Sequence, residues 1–110
     1  MARYMYQVSY TSDSWAIQVK KPEDRIEALK PAVRKLGGTI ESAYYTFGDY
    51  DIVLIANMPD NGSAAAMSIA ASAGGALKSI KTTPLMTIRE GMAAMRKAKK
   101  ASYTAPGASK

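Results

Sequence analysis

The chain contains no cysteine and no histidine among its 110 residues. Without cysteine it has no disulfide, no thiolate nucleophile and no thiolate metal site. The missing histidine removes the commonest general base near neutral pH and the commonest metal ligand. Any catalytic chemistry would therefore fall to tyrosine, carboxylate, lysine or arginine side chains.

Long apolar runs are also missing, since no stretch approaches the roughly 18 residues that a membrane-spanning helix needs. Residues 1–6 pass directly into a strand-like pattern and do not resemble a signal peptide. A length of 110 residues is typical of one domain. We expect a single cytoplasmic domain without membrane contact.

Negative charge is scarce mainly at the C-terminal end of the chain. The net charge is +6, and residues 89–110 account for +5 of it. A basic tail can bind polyanions weakly, but Tyr103 is the only aromatic residue interleaved with these cations. The sequence therefore disfavours nucleic-acid binding and predicts a basic, disordered tail over residues 99–110.

Hydrophobic periodicity predicts a mixed α+β domain. Two-residue alternation indicates strands over 2–10, 39–47, 51–56 and, less perfectly, 76–83. Helical spacing and start signals indicate a helix that begins at residues 22–24 and runs to Leu36, a second over 63–73, and a last helix that begins with a capping box of Thr87 and Glu90. Pro31 predicts a kink in the first of these helices, and residues 11–19 form either a short helix or an ordered loop. The order is the ferredoxin-like βαββαβ plan, a four-stranded antiparallel sheet with helices on one face, plus a C-terminal helix.

One face of this sheet is left without helices. A broad exposed apolar face is unusual for a monomer. We therefore expect the chain to bind a second copy of itself through the sheet, as a homodimer or higher homo-oligomer.

The residues between the second and third strands form a short acidic and aromatic turn, which includes Gly48, Asp49, Tyr50 and Asp51. Two interpretations of its carboxylates are open. Asp49 and Asp51 can supply a general base or a hard-cation site, or they can serve as turn and strand-start residues that accept backbone hydrogen bonds. Turn chemistry accounts for both residues.

Tyrosines in the strands suggest a ligand pocket. Tyrosine in a strand is often packing at the edge of the core, but a pocket between sheet and helices can use its hydroxyl to orient a small polar or aromatic ligand. Our binding hypothesis is a pocket lined by Tyr6, Trp15 and Tyr45. No phosphate loop accompanies the paired glycines and no metal-binding pattern accompanies the methionines, so we expect no cofactor and no metal.

The turn motif Gly48-Asp49-Tyr50-Asp51 is accompanied by several landmarks in order: Tyr10-Thr11-Ser12, Leu36-Gly37-Gly38, Met58-Pro59-Asp60 and Thr82-Thr83-Pro84-Leu85-Met86. With this set the chain resembles the GYD family of small bacterial proteins over most of residues 2–98, and we assign 1–98 to a GYD-like domain. The resemblance implies a ferredoxin-like fold of the dimeric α+β barrel kind, and it carries no catalytic residues with it. A more limited similarity, confined to the Gly-x-Tyr-Asp turn, links the chain to the effector-binding domain of leucine-responsive regulators.

Two functions fit these observations. The first is a small-molecule-binding or structural homo-oligomer. The second is a cofactor-free enzyme of the dimeric-barrel type, a monooxygenase or isomerase acting on a small aromatic or polar molecule.

Overall fold

A computed structural model describes residues 1–107 of the chain. It contains four strands and four helices in the order strand, helix, helix, strand, strand, helix, strand, helix. Their bounds are β1 (Ala2–Tyr10), α1 (Ser12–Lys20), α2 (Arg25–Lys35), β2 (Thr39–Tyr45), β3 (Ile52–Met58), α3 (Asn61–Ala73), β4 (Leu77–Leu85) and α4 (Ile88–Ala101).

The four strands form one antiparallel sheet in the order β2-β3-β1-β4. In the register, Tyr6 of β1 lies opposite Leu54 of β3 and Thr82 of β4. This arrangement confirms the predicted ferredoxin-like fold. Residues 11–19, for which the sequence allows either a helix or a loop, form α1, which begins where the side chain of Thr11 accepts a hydrogen bond from the Ser14 N–H.

The sheet has two unlike faces, because successive side chains of a strand point in opposite directions. We call the side that carries Tyr6 and Leu54 the helix face, since α2 and α3 pack on it. The core lies there and consists of Tyr4, Tyr6, Val33, Leu54, Ala56, Met58, Ala64 and Met67. We call the opposite side the outer face, and its half-buried central residues are Met5, Gln7, Val53, Ile55 and Asn57.

The edge strand β4 contains a bulge that explains its imperfect alternation. Ser79 pairs with Ser9, but Leu77 rather than Lys78 pairs with Tyr10, so one extra residue is accommodated there. The bulge turns Leu77 and Ile80 toward the same side, where both line the space between sheet and helices. The strand also continues two residues past its predicted end and includes Pro84, which an edge strand tolerates.

The hairpin between β2 and β3 is closed by the Thr46 N–H, which donates to the Asp51 carbonyl at 2.9 Å. Strand β2 ends at Tyr45, two residues before its predicted end, and β3 extends two residues further, to Met58. Gly48 has a φ of +138°, a conformation that side chains other than glycine rarely adopt. The turn therefore depends on glycine at this position.

Helix α2 begins at Arg25, slightly later than predicted, and passes through Pro31 without interruption, which confirms a single helix. The kink at Pro31 stays a prediction. Asp24 caps the start of α2 by accepting hydrogen bonds from the N–H groups of Ile26 and Glu27, each at 3.0 Å. Val33 then reaches the core with only 1% of its surface exposed.

The last helix, α4, extends away from the rest of the domain, and we call it the C-terminal arm. The chain measures 63 × 31 × 22 Å and has a radius of gyration of 18.0 Å, whereas a compact domain of this size has about 13 Å. The arm continues to Ala101, so residues 99–101 are helical rather than part of the disordered tail predicted over 99–110. Residues 108–110 of that predicted tail lie outside the described part of the chain.

Within residues 1–107, no helix is both long and apolar enough to cross a membrane.

Candidate functional site

A cavity of about 690 Å³ lies between the helix face of the sheet and helices α1, α2 and α3. Tyr6, Val8 and Leu54 form its floor, while Leu29 of α2 and Met67 of α3 form part of its walls. This volume is within the range of small-molecule sites in proteins, which are mostly apolar with a few polar groups. The cavity is therefore the part of the described structure best suited to hold a ligand.

The composition of two helices explains why this space is not filled. Helix α3 presents Ala70 and Ala71 to the cavity and ends at Gly74 and Gly75, so its side chains occupy little volume there. Helix α1 buries no residue, and its Ile17 lines the cavity while remaining 70% exposed. The cavity is consequently walled by small side chains on one side and by a loosely packed helix on another.

Tyr6, the first residue of the predicted pocket, lies on the cavity floor, and its hydroxyl is hydrogen-bonded within the protein. The hydroxyl donates to the Ala64 carbonyl of α3 at 2.8 Å. Burial, and secondarily the neighbouring Tyr4, raises the pKa of Tyr6 to about 12. Tyr6 thus presents a neutral aromatic ring to the cavity near neutral pH and is not a general base.

Trp15 and Tyr45, the other two predicted pocket residues, pack together beside the cavity. Their ring centroids lie 6.5 Å apart, and the Trp15 ring meets the Tyr10 ring edge-on at 5.4 Å. Tyr45 lines a second depression of about 460 Å³. Glu23, Arg25, Ile26 and Ile52 line both spaces. The three predicted residues are therefore divided between the main cavity floor and an adjoining aromatic cluster.

The rim of the cavity is charged, with carboxylates and cations in equal number. Lys21 and Glu23 form an exposed ion pair at 3.8 Å, and Asp13 and Arg25 also line the cavity. Burial raises the pKa of Tyr10, and the neighbouring Tyr45 and Asp51 raise it further. The nearby Arg25 guanidinium acts in the opposite direction and lowers it. Tyr10 and Arg25 thus form a polar edge to an otherwise apolar space.

Asp51 connects the hairpin turn to β1 and α1. One oxygen of its carboxylate, Oδ2, accepts hydrogen bonds from the Tyr10 N–H at 2.8 Å and from Trp15 Nε1 at 3.2 Å. Its own N–H donates to the Val8 carbonyl at 2.8 Å. Asp51 therefore has a structural role, because it positions the aromatic cluster next to the cavity.

Asp49 and Tyr50, in the same turn motif, form hydrogen bonds through their backbone carbonyls. The Ser9 hydroxyl donates to the Asp49 carbonyl at 3.0 Å, and the Thr46 hydroxyl donates to the Tyr50 carbonyl at 2.6 Å. Asp49 itself is exposed. In the part of the chain that the structure describes, no three acidic residues come together in a way that could hold a metal ion.

Arg25 and the small residues of α3 were not among the predicted site residues. A basic side chain in the first turn of a helix opposes the helix dipole, and that unfavourable position is a signal that points to Arg25. Within residues 1–107 the Arg25 guanidinium forms no ion pair that would offset its unfavourable interaction with the helix dipole. The alanines of α3 carry no comparable signal, because small residues also permit close helix packing.

Comparison with solved structures supports the fold. The chain is similar to the crystal structure of MtbAldR, with a TM-score of 0.56 and 13% sequence identity, over 99% of this chain and 58% of that one. The chain thus spans little more than half the length of that protein. At this level of identity the similarity concerns the fold alone, and it agrees with the ferredoxin-like arrangement of strands and helices. No curated protein matches the chain.

Comparison with family models agrees with the turn motif and the order of landmarks along the chain. The model described as the GYD domain matches residues 4–95, which include most of β1, the other three strands, the first three helices and the first part of α4. The chain belongs to the GYD domain family.

Proposed function

We propose that this protein is a small-molecule-binding domain that works as a homo-oligomer. The observation that carries the proposal is the cavity of about 690 Å³ on the helix face. Its floor and walls are mostly apolar, and Tyr10 and Arg25 supply polar groups at one edge. A suitable ligand has an apolar or aromatic body and one polar end.

We favour binding over the alternative of a cofactor-free enzyme because of what the tyrosines of the cavity do. The Tyr6 hydroxyl is bonded to the Ala64 carbonyl, and burial raises its pKa. A group with a raised pKa that already donates its proton to the backbone is a poor acid or base near neutral pH. The same residue serves well as an aromatic surface for a bound molecule.

The binding proposal is tested by filling the cavity from α3. Ala71 lines the cavity, whereas Ala65 lies exposed on the same helix. We expect Ala71→Phe to weaken binding of the fluorescent apolar probe anilinonaphthalenesulfonate at least about tenfold, because the new ring occupies the space. Ala65→Phe is the matched control and leaves probe affinity unchanged.

Circular dichroism establishes that both variants are folded before the probe titrations are compared. Equal probe affinity for the wild type and Ala71→Phe would show that the probe binds elsewhere and would contradict the proposal. Absence of any binding by the folded wild type would contradict it as well.

Self-association is proposed to occur through the outer face. Met5, Val53 and Ile55 are apolar there and only half-buried, while the helices that pack closely on the sheet lie on the other side. Contact between two outer faces would remove these side chains from water, at a gain of about 25 cal/mol per Å² of apolar surface. Two-fold pairing of identical faces is the commonest arrangement in homo-oligomers.

A pair of isoleucine substitutions tests this contact. Ile55→Asp places a charge at the centre of the outer face, and we expect it to convert a dimer into a monomer in sedimentation equilibrium. Ile69→Asp is the control, because Ile69 lies on α3 and is already 68% exposed. A monomeric wild type, or an Ile55→Asp variant that remains dimeric, would contradict this part of the proposal.

The setting proposed for this function is the bacterial cytoplasm. The GYD resemblance implies a bacterial source, and a fold without cysteine needs no oxidising compartment. Fractionation of cells that express the tagged protein tests the location, with recovery in the cytosolic fraction as the expected result.

A further inference from the structure

The C-terminal arm has an apolar side that is largely exposed within residues 1–107. Ile88, Met92 and Met95 recur at helical spacing and form what we call the arm stripe, with 83%, 47% and 72% of their surfaces exposed. Basic residues lie on the other sides of the helix, with Arg96 beside the stripe and Lys97 and Lys100 further round. An amphipathic helix of this kind normally packs its apolar side against another surface.

The start of the arm is well defined, although its stripe is exposed. The Thr87 hydroxyl accepts from the Glu90 N–H at 3.0 Å, and the Glu90 carboxylate accepts from the Thr87 N–H at 2.9 Å. This capping box stabilises the first turn. An isolated helix of about 14 residues is still only marginally stable in water, and Gly91 weakens this one further. A covering surface would therefore stabilise the arm considerably.

The arm begins beside the outer face. It follows Leu85, which pairs with Arg3 of β1. The pKa of the Glu90 carboxyl is lowered by its bonds to Thr87 and, to a smaller extent, by Arg3, so the first turn of the arm lies near that side chain. Arg3 also forms an ion pair with Glu41 at 2.9 Å. The arm thus leaves the domain at the edge of the surface through which self-association is proposed.

We propose that the C-terminal arm clasps a second copy of the chain, packing its stripe against that copy beside the contact between outer faces. The inference rests on the proposed self-association and adds the arm to it. A helix of 14 residues is about 21 Å long, roughly twice the 10 Å that separates stacked sheets. Each arm is therefore long enough to pass from its own sheet to the other copy. Two-fold symmetry makes the exchange reciprocal, so each copy buries its own stripe and the dimer buries two stripes in all.

Paired aspartate substitutions in the full-length protein test this inference. Met92→Asp combined with Met95→Asp places two charges in the stripe. Ala93→Asp combined with Ala94→Asp adds the same charge at neighbouring positions that point away from the stripe. We expect the methionine variant to raise the dimer dissociation constant at least about 100-fold in sedimentation equilibrium, because four buried methionines are lost per dimer. The alanine variant changes it less than about threefold.

The possible results separate the arm from the sheet contact. Wild-type protein that stays monomeric contradicts the proposed self-association and this inference together. A wild-type dimer that the methionine variant leaves intact contradicts the arm exchange alone. An intact dimer whose methionine variant instead loses binding to vesicles of anionic phospholipid identifies the arm as a membrane-surface helix and also overturns the inference.

Discussion

The two faces of the sheet differ in how the chain covers them. On the helix face, Tyr6, Ala56 and Met58 are almost completely buried, and α2 and α3 pack against them. On the outer face, Met5 and Ile55 alternate with these residues along the same strands but remain half-exposed. The same two central strands therefore provide a buried core on one side and a partly exposed apolar surface on the other.

This difference assigns the two proposed activities to different places. The covered face contains a cavity because α3 has small side chains and α1 packs loosely. The outer face has no comparable enclosure within the described residues, and the arm begins at its edge. Ligand binding is thus proposed for the inside of each domain and association for the outside.

The largest expected effect is a difference in unfolding free energy between two variants, each with one methionine truncated on one face of the sheet. Met58 is 0% exposed in the core, so Met58→Ala should lower the free energy of unfolding by about 2–5 kcal/mol. Met5 is half-exposed on the outer face, and Met5→Ala should cost less than about 1 kcal/mol in the monomer. Urea unfolding at protein concentrations below the dimer dissociation constant measures both. Equal losses would show that the faces are not distinct.

An intermediate effect distinguishes the two aspartates of the turn. Asp51→Ala removes the acceptor of the Tyr10 N–H and of Trp15 Nε1, so we expect a loss of about 2 kcal/mol in unfolding free energy and a red shift of the Trp15 fluorescence. Asp49 contributes a carbonyl that alanine retains. Asp49→Ala should therefore change stability by no more than about 0.5 kcal/mol. A larger loss for Asp49→Ala would require a side-chain role in that turn.

The last expected effect is absent near neutral pH and appears only at alkaline pH. The pKa of Tyr6 is about 12 in the folded protein, whereas a freely solvated tyrosine, as in the unfolded chain, has a pKa of 10.0. The unfolded chain therefore loses this proton first, so the stabilising contribution is complete below pH 10.0 and is lost as the pH rises toward 12. Tyr6→Phe should show a shallower decline of unfolding free energy across that interval. An identical pH profile for the wild type and the variant would mean that the Tyr6 hydroxyl is not shielded by the fold.

Much of the fold was predictable because its signals are local. The alternation around Tyr6 predicted β1 with its observed bounds, and Thr87 with Glu90 predicted the capping box of α4. The bulge at Lys78 was not predicted, since its position depends on the pairing of β4 with β1. The detached course of α4 was likewise beyond prediction, because a stripe at helical spacing does not say what covers it.

The candidate site was less predictable than the fold. The chemistry of their side chains points to Tyr6, Trp15 and Tyr45, and the structure places Tyr6 on the cavity floor and the other two in the adjoining cluster. A cavity is a volume that side chains leave empty, so it depends on packing between distant segments and has no motif of its own. The bond from Trp15 to Asp51 is a further example, since its partners are far apart in the chain.

Thiol labelling at one position on each face tests the central comparison most directly, because the natural chain contains no cysteine. Gln7→Cys places a thiol on the outer face, and Ala71→Cys places one in the cavity wall. Maleimide reaction rates are measured for each variant as the protein concentration is raised through the dimerisation range. We expect labelling at position 7 to slow by about tenfold on association, while labelling at position 71 stays constant. A constant rate at position 7, or protection at position 71 alone, would contradict it.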